Sequence, residues 1–177
     1  IPGERVRARV SRSGKDVLYA DTCEVVERSP DRRKTEWDWR CGGNVFSHVT
    51  YERQLRLKGE IVGDAFARIA HAPLSEVPRV VGSPEQGYRM RARLHARGQR
   101  LGFFRQGSHD LCDATATGQF LRATNAWIAG AADMLRRDGL SGLVGIELAE
   151  NIPGNERACH LEVQGMDPSC FTGLTEV

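Results

Sequence analysis

The amino-acid sequence predicts an α+β protein, and three observations carry that expectation. Several short stretches alternate apolar residues with basic or polar ones, which is the period of a strand. Two longer stretches repeat apolar residues every three or four positions, which is the period of a helix. From residue 88 onward these elements run strand, strand, helix, strand, strand. A four-stranded antiparallel sheet with helices on one face satisfies that order. The 177 residues, 40% hydrophobic and 27% charged, have a globular rather than disordered or fibrous composition. No apolar run approaches the roughly 20 residues that a membrane span needs, so no membrane partner is expected. The first residues, Ile1 to Arg5, lack the layout of a secretory leader.

Arg5 to Val10 reads R-V-R-A-R-V, a strand with one wet, basic face. Turn residues fill Ser11 to Asp16, and Val17 to Val26 forms a second strand, giving a hairpin over 4–27. Two strands alone are marginally stable, so this hairpin reads as the remnant of a larger β unit. Ser29 to Asn44, with Pro30, Trp37, Trp39 and Cys41-Gly42-Gly43, is a structured connector. Tyr51 to His71 is a helix carrying Leu55, Ile61, Val62, Ala65, Phe66 and Ile69, with Thr50 as N-cap and Pro73 beyond its end. A second hairpin follows, Gly87 to His95 and Arg100 to Gln106, turning at Gly98. Gln119 to Asp138 is the second helix, through Phe120, Trp127, Ile128, Ala131 and Leu135, with Gly139 as its C-terminal cap. Leu143 to Glu150 and Arg157 to Gln164 are strands around Pro153-Gly154-Asn155.

The net charge of +2 hides a split. Residues 1–105 hold 21 Lys and Arg against 13 acids, whereas residues 106–177 hold 4 against 10. Such asymmetry points to nucleic acid or another acidic surface. Of the 25 basic residues only Lys15, Lys34 and Lys58 are lysine. Arginine suits phosphate and base stacking, although a GC-rich genome gives the same bias. Five scattered cysteines (Cys23, Cys41, Cys112, Cys159, Cys170) argue against a disulfide framework and for a reducing, cytoplasmic setting.

The strongest local feature is Arg89-x-Arg91-x-Arg93-x-His95. On a strand, period two places all four on one face, with Tyr88, Met90, Ala92 and Leu94 on the other. Guanidiniums about 7 Å apart match the spacing of backbone phosphates. Arg97, Arg100 and Arg105 extend the positive charge, and no acid lies between Tyr88 and Gln106. Two readings remain open: a phosphate-binding face, or a solvated face whose arginines pair with the acidic second half.

Two blocks resemble a known family. Pro30-Asp31-Arg32, Cys41-Gly42-Gly43, His48, Tyr51, Gln54 and Lys58 form one. Gly87-Tyr88-Arg89-Met90-Arg91-Ala92-Arg93-Leu94, with Gly102-Phe103-Phe104-Arg105-Gln106-Gly107-Ser108-His109, forms the other. Both are similar to the RNA uracil-5-methyltransferases, which use S-adenosylmethionine to methylate carbon 5 of uridine in ribosomal or transfer RNA. The resemblance implies the end of an OB-like TRAM domain over 1–28, a connector over 29–49 and a central RNA-recognition domain over 50–165. Residues 166–177 then lead toward a methyltransferase domain, the intramolecular partner, that this chain lacks.

Further expectations follow from the resemblance. The chain by itself binds structured RNA, rRNA or tRNA, and catalyses nothing; a stand-alone adaptor that docks a protein is the alternative. RNA contacts are expected from Tyr88, Arg89, Arg91, Arg93, His95, Arg97, Arg100, Phe103, Arg105 and Lys58, with Phe104, His48 and His109 as further candidates. Cys170 lacks the context of the family's nucleophile, so no catalytic residue is assigned. Many members hold an iron–sulfur cluster on four cysteines, whose positions fall here at Thr35, Cys41, Asn44 and Thr117. One thiol cannot hold it, so the cluster is expected to be lost, with Trp37 and Trp39 tying down the connector.

Overall fold

Alternation produces strands at both ends of the chain, and what covers them differs. In the computed structural model, residues 1–137, 142–165, 167 and 169–170 are described. The expected cap at Gly139 and most of the 166–177 tail lie outside them. The chain divides into two compact units, Ile1–Lys34 with His48–Val80, and Thr35–Ser47 with Val81–Val177.

In the first unit, β1 (Arg5–Ser13) pairs antiparallel with β2 (Leu18–Glu27), and Gly14 donates its N–H to the Val17 carbonyl across the turn. Three register irregularities interrupt the ladder, which twists such a ribbon. Every β1 residue is exposed, including Val6 and Val10. Two arginines on the basic side of this hairpin are neutralised within it: Arg5 pairs with Glu27 (2.8 Å) and Arg7 with Glu24 (2.6 Å), while Arg9 stands opposite Asp21 in the register.

Just outside the hairpin, the side chain of Glu4 is buried. Its carboxylate accepts hydrogen bonds from Arg32 (2.6 and 2.7 Å) and from the Ser29 N–H (3.2 Å). The Arg32 guanidinium holds this carboxyl well below the usual carboxylate range, against the opposing effect of burial. Helix α1 (Tyr51–Arg68) starts after Thr50 as expected, but the threonine side chain makes no capping hydrogen bond. Leu57 is buried, and Gly59 lies so close to Pro78 that a Cβ would stand 2.6 Å from its carbonyl oxygen. The expected apolar stripe is otherwise uncovered: Ile61, Val62, Phe66 and Ile69 are exposed.

The second unit is built on an antiparallel sheet of β3 (Arg91–Arg97), β4 (Arg100–Phe104), β5 (Leu111–Asp113), β6 (Leu143–Glu150) and β7 (Arg157–Val163), in the order β5-β4-β3-β6-β7. The α+β class stands, with one strand more than the four expected: β5 pairs with β4 through Phe103 opposite Cys112. Helix α2 (Arg122–Arg137) covers one face. Its Trp127, Ile128, Ala131 and Leu135 share a core with Leu94, Leu101, Phe103, Ile146 and Leu148. Each fully buried side chain of this size contributes about 1.5–3 kcal/mol.

The connector is fastened to this unit more firmly than tryptophans alone would allow. Cys41 and Cys112 form a disulfide, which corrects the expectation of free thiols at both positions. Gln119 donates from Nε2 to the Gly42 carbonyl at 2.8 Å, and Arg105 pairs with Asp38 at 3.0 Å. Gly43 takes a φ of +88°, and a Cβ there would strike Gln119 at 2.3 Å, so glycine is required. Trp37 packs on Gly118, as its expected anchoring role requires, whereas Trp39 is exposed with Arg40 over its ring.

Candidate nucleic-acid interface

The sheet of the second unit has a face that α2 does not cover. Residues directly opposite in antiparallel strands share a face, so the register assigns it. Arg91, Arg93, His95 and Arg97 of β3 point to the open side, with Ala92, Leu94 and Ala96 toward the core. On β4, Gly102 opposes His95 and Arg100 opposes Arg97, which places Arg100 and Phe104 on the open side too. On β6 and β7 that side carries Glu147, opposite Arg93, followed by His160 and Glu162. Leu101 and Phe103 fall on the core side.

The arginine row is therefore real but shorter than expected. Arg89 leaves it, because regular pairing to β6 begins at Arg91 and the Arg89 N–H is held by the Gln119 carbonyl at 2.9 Å. Its guanidinium instead lies over the ring of Phe103, 5.1 Å from the centroid. Tyr88 and Met90, expected toward the core, are exposed for the same reason. Phe103 is in the core, stacked with Phe120 at 5.8 Å, and so is not placed to receive a base. Phe104, half-buried, lies on the open side: His95 stacks on it at 3.8 Å, His109 meets it edge-on at 5.2 Å, and Arg97 lies over it at 5.8 Å. Burial, helped by the neighbouring Arg93 charge, pushes the His95 imidazole down, so its neutral form is favoured.

The charges divide between the two readings left open by the sequence. Arg93 is paired, at 2.6 Å with Glu162 and 3.7 Å with Glu147. Arg105 is paired with Asp38. Arg91, Arg97 and Arg100 are exposed and make no ion pair among the described residues. Lys58 is exposed on α1, in the first unit.

No protein-family model matches the chain. Over 171 residues it is 28% identical to the 23S rRNA (uracil(1939)-C(5))-methyltransferase RlmD of Shewanella amazonensis, covering 92% of this chain and 35% of that protein. Over 117 residues it is 33% identical to an RNA methyltransferase of Aquifex aeolicus, covering 63% of this chain and 27% of that protein. Its fold matches the crystal structure of the Pyrococcus abyssi tRNA (uracil-54, C5)-methyltransferase in complex with S-adenosyl-L-homocysteine. That match has a TM-score of 0.64 at 21% identity, over 96% of this chain and 42% of the other. The chain is similar to RNA uracil-C5 methyltransferases over most of its own length. It spans between 27% and 42% of the length of these relatives.

Neither of two groups associated with such enzymes, an iron–sulfur cluster and S-adenosylmethionine, finds its ligands among the described residues. At the four cluster positions Cys41 is consumed in the disulfide with Cys112, and Thr35, Asn44 and Thr117 offer no thiolate. Thr117 is instead buried, donating its hydroxyl to the Ala114 carbonyl at 2.6 Å, and Asn44 accepts from Gln119 at 3.4 Å. These residues do not fit an iron–sulfur cluster. Nor do they fit S-adenosylmethionine: the strands of the described sheet are all antiparallel, and no glycine-rich loop leads from one of them directly into a helix.

Sequence reasoning missed the specific roles of Glu147 and Glu162. Their signal was present, since each sits at an alternating position of its strand, but which arginine they meet depends on strand order. Cys112 was equally illegible as the partner of Cys41, 71 residues away.

Proposed function

We propose that this chain is the RNA-recognition part of an RNA uracil-C5 methyltransferase, which docks structured RNA on the open face of its five-stranded sheet. The observation that carries this reading is the exposed row of Arg91, Arg97 and Arg100, without acidic partners among the described residues, beside the His95–Phe104 stack. Arg91 and Arg97 lie six residues apart on one strand, about 20 Å, with Arg100 opposite Arg97, so they suit phosphates several nucleotides apart, and an aromatic step suits an unpaired base. In the whole protein, carbon 5 of a uridine in rRNA or tRNA would accept a methyl group from S-adenosylmethionine, in a catalytic domain outside these residues. The names and lengths of the relatives support that division of labour. Docking here would hold the RNA while the target uridine turns out of its stack.

A titration of the chain with a structured rRNA or tRNA fragment tests the reading. Salt-sensitive affinity, weakened by Arg91→Ala and Arg100→Ala, is expected. Affinity that salt does not change would favour the adaptor alternative instead.

A further inference from the structure

The open face of the sheet is electrically divided, and Arg93 stands on the border. β3 and β4 present arginines to it and no carboxylate, whereas the strands on either side present acids: Asp113 on β5, opposite Gly102, and Glu147 and Glu162 on β6 and β7. The pairing register puts Glu147 directly opposite Arg93. Glu162 belongs to the next strand over and opposes Gly145. The Glu162 carboxylate lies over Gly145, 3.6 Å from where a Cβ would stand, an ordinary contact. From there Glu162 reaches Arg93 at 2.6 Å.

Both carboxylates remain about half exposed, at 58% and 42%, and so does Arg93 at 53%. Ion pairs this wet contribute little to holding a sheet together. Their charge still acts on anything that approaches the face. A phosphate would compete with them for the same guanidinium, since carboxylate and phosphate use the same fork of N–H donors. The border also lines an open depression of about 540 Å³, whose walls include Arg91, Arg93, Glu147 and His160.

We propose that Glu147 and Glu162 are specificity-determining residues for RNA docking. They occupy Arg93 and turn the RNA backbone away from β6 and β7, confining it to the track of Arg91, Arg97 and Arg100. The inference rests on the RNA-binding reading and adds a direction to it. Such a fence lowers affinity for RNA in general and favours RNA whose backbone follows the β3–β4 half, since discrimination often depends on a repulsive element.

The test is a salt titration of the 177-residue chain against an RNA hairpin with an unpaired loop, in wild type, Glu162→Gln, Glu147→Gln, Arg93→Ala and Glu162→Gln/Arg93→Ala. Glutamine keeps the shape and removes the charge. Glu162→Gln is expected to tighten binding roughly threefold to tenfold at about 50 mM salt. It should also steepen the slope of log affinity against log salt by about 0.7–0.9, the signature of one added phosphate contact. Glu147→Gln should move both in the same direction by less, because its contact with Arg93 is the longer one. Arg93→Ala alone should weaken binding, because it leaves both carboxylates without their counter-charge, and the double variant should bind less tightly than Glu162→Gln and show no steepened slope. Unchanged affinity and slope in Glu162→Gln, while Arg91→Ala still weakens binding, would overturn the fence and leave the RNA reading standing. Salt-independent or absent binding in every variant would overturn both.

Discussion

Strands β1 and β3 carry nearly the same alternation, R-V-R-A-R-V in one and R-A-R-L-H-A-R in the other, yet they end in opposite situations. In β3 the apolar side lies under α2, with Leu94 fully buried, and the polar side is left open with two arginines, Arg91 and Arg97, unpaired among the described residues. In β1 the apolar side is exposed, and the arginines face Glu27, Glu24 and Asp21 on β2. Alternation thus predicts a two-faced strand but not what either face meets. The neighbouring strand decides whether a basic row is spent inside the fold or left for a ligand. That difference is why the candidate interface is placed on β3 and β4.

Truncating the apolar side of each strand should separate them most widely. Leu94→Ala is expected to cost about 2–5 kcal/mol in urea unfolding of the second unit, whereas Val10→Ala should stay within about 0.5 kcal/mol. Equal costs would mean that β1 is as covered as β3. Next in size is the disulfide, which closes a 71-residue separation and should contribute about 2–4 kcal/mol by restricting the unfolded chain. Cys112→Ala should lower the unfolding midpoint, and thiol titration of the unreduced protein should leave Cys41 and Cys112 unreactive. Five reactive thiols would contradict the bond.

The buried Glu4–Arg32 pair sharpens the account of the first unit. Glu4→Gln should cost about 2 kcal/mol at neutral pH, less than a fully buried pair because Arg32 is partly exposed. A carboxyl depressed in the folded state stabilises above its unfolded value, and that stability is lost as pH falls through the acid range. The wild type should therefore lose its advantage over Glu4→Gln on acidification, which paired melting curves would reveal. The smallest effect belongs to His95. Its folded form resists protonation, so stability should fall as pH drops below the ordinary imidazole value of 6.5. His95→Phe should flatten that slope, and an unchanged pH profile would place the loss elsewhere.

Much of the second unit was legible because its elements are periodic and long enough to show it. β3, β4, β6, β7 and α2 follow their apolar patterns closely. β5 was missed because three residues, Leu111 to Asp113, are too few to carry a period. Arg89 was assigned to the row because alternation continues through Met90, while the backbone turns aside to pair with Gln119. Phe103 and Phe104 are adjacent and chemically alike, and only the register with β3 shows which is buried. The apolar repeat of α1 was visible too, but nothing in it shows that Ile61, Val62, Phe66 and Ile69 stay exposed.

The most direct test of the interface compares the two arginine rows in one assay. The affinity of the chain for structured RNA is measured across salt, with Arg91→Ala on the open sheet face set against Arg7→Ala on the hairpin, where Arg7 is paired with Glu24. Arg91→Ala should weaken binding and flatten the salt slope by about 0.7–0.9, the loss of one phosphate contact, while Arg7→Ala leaves both unchanged. The reverse outcome, or an Arg91→Ala variant that binds as wild type does, would contradict the placement of RNA on the five-stranded sheet.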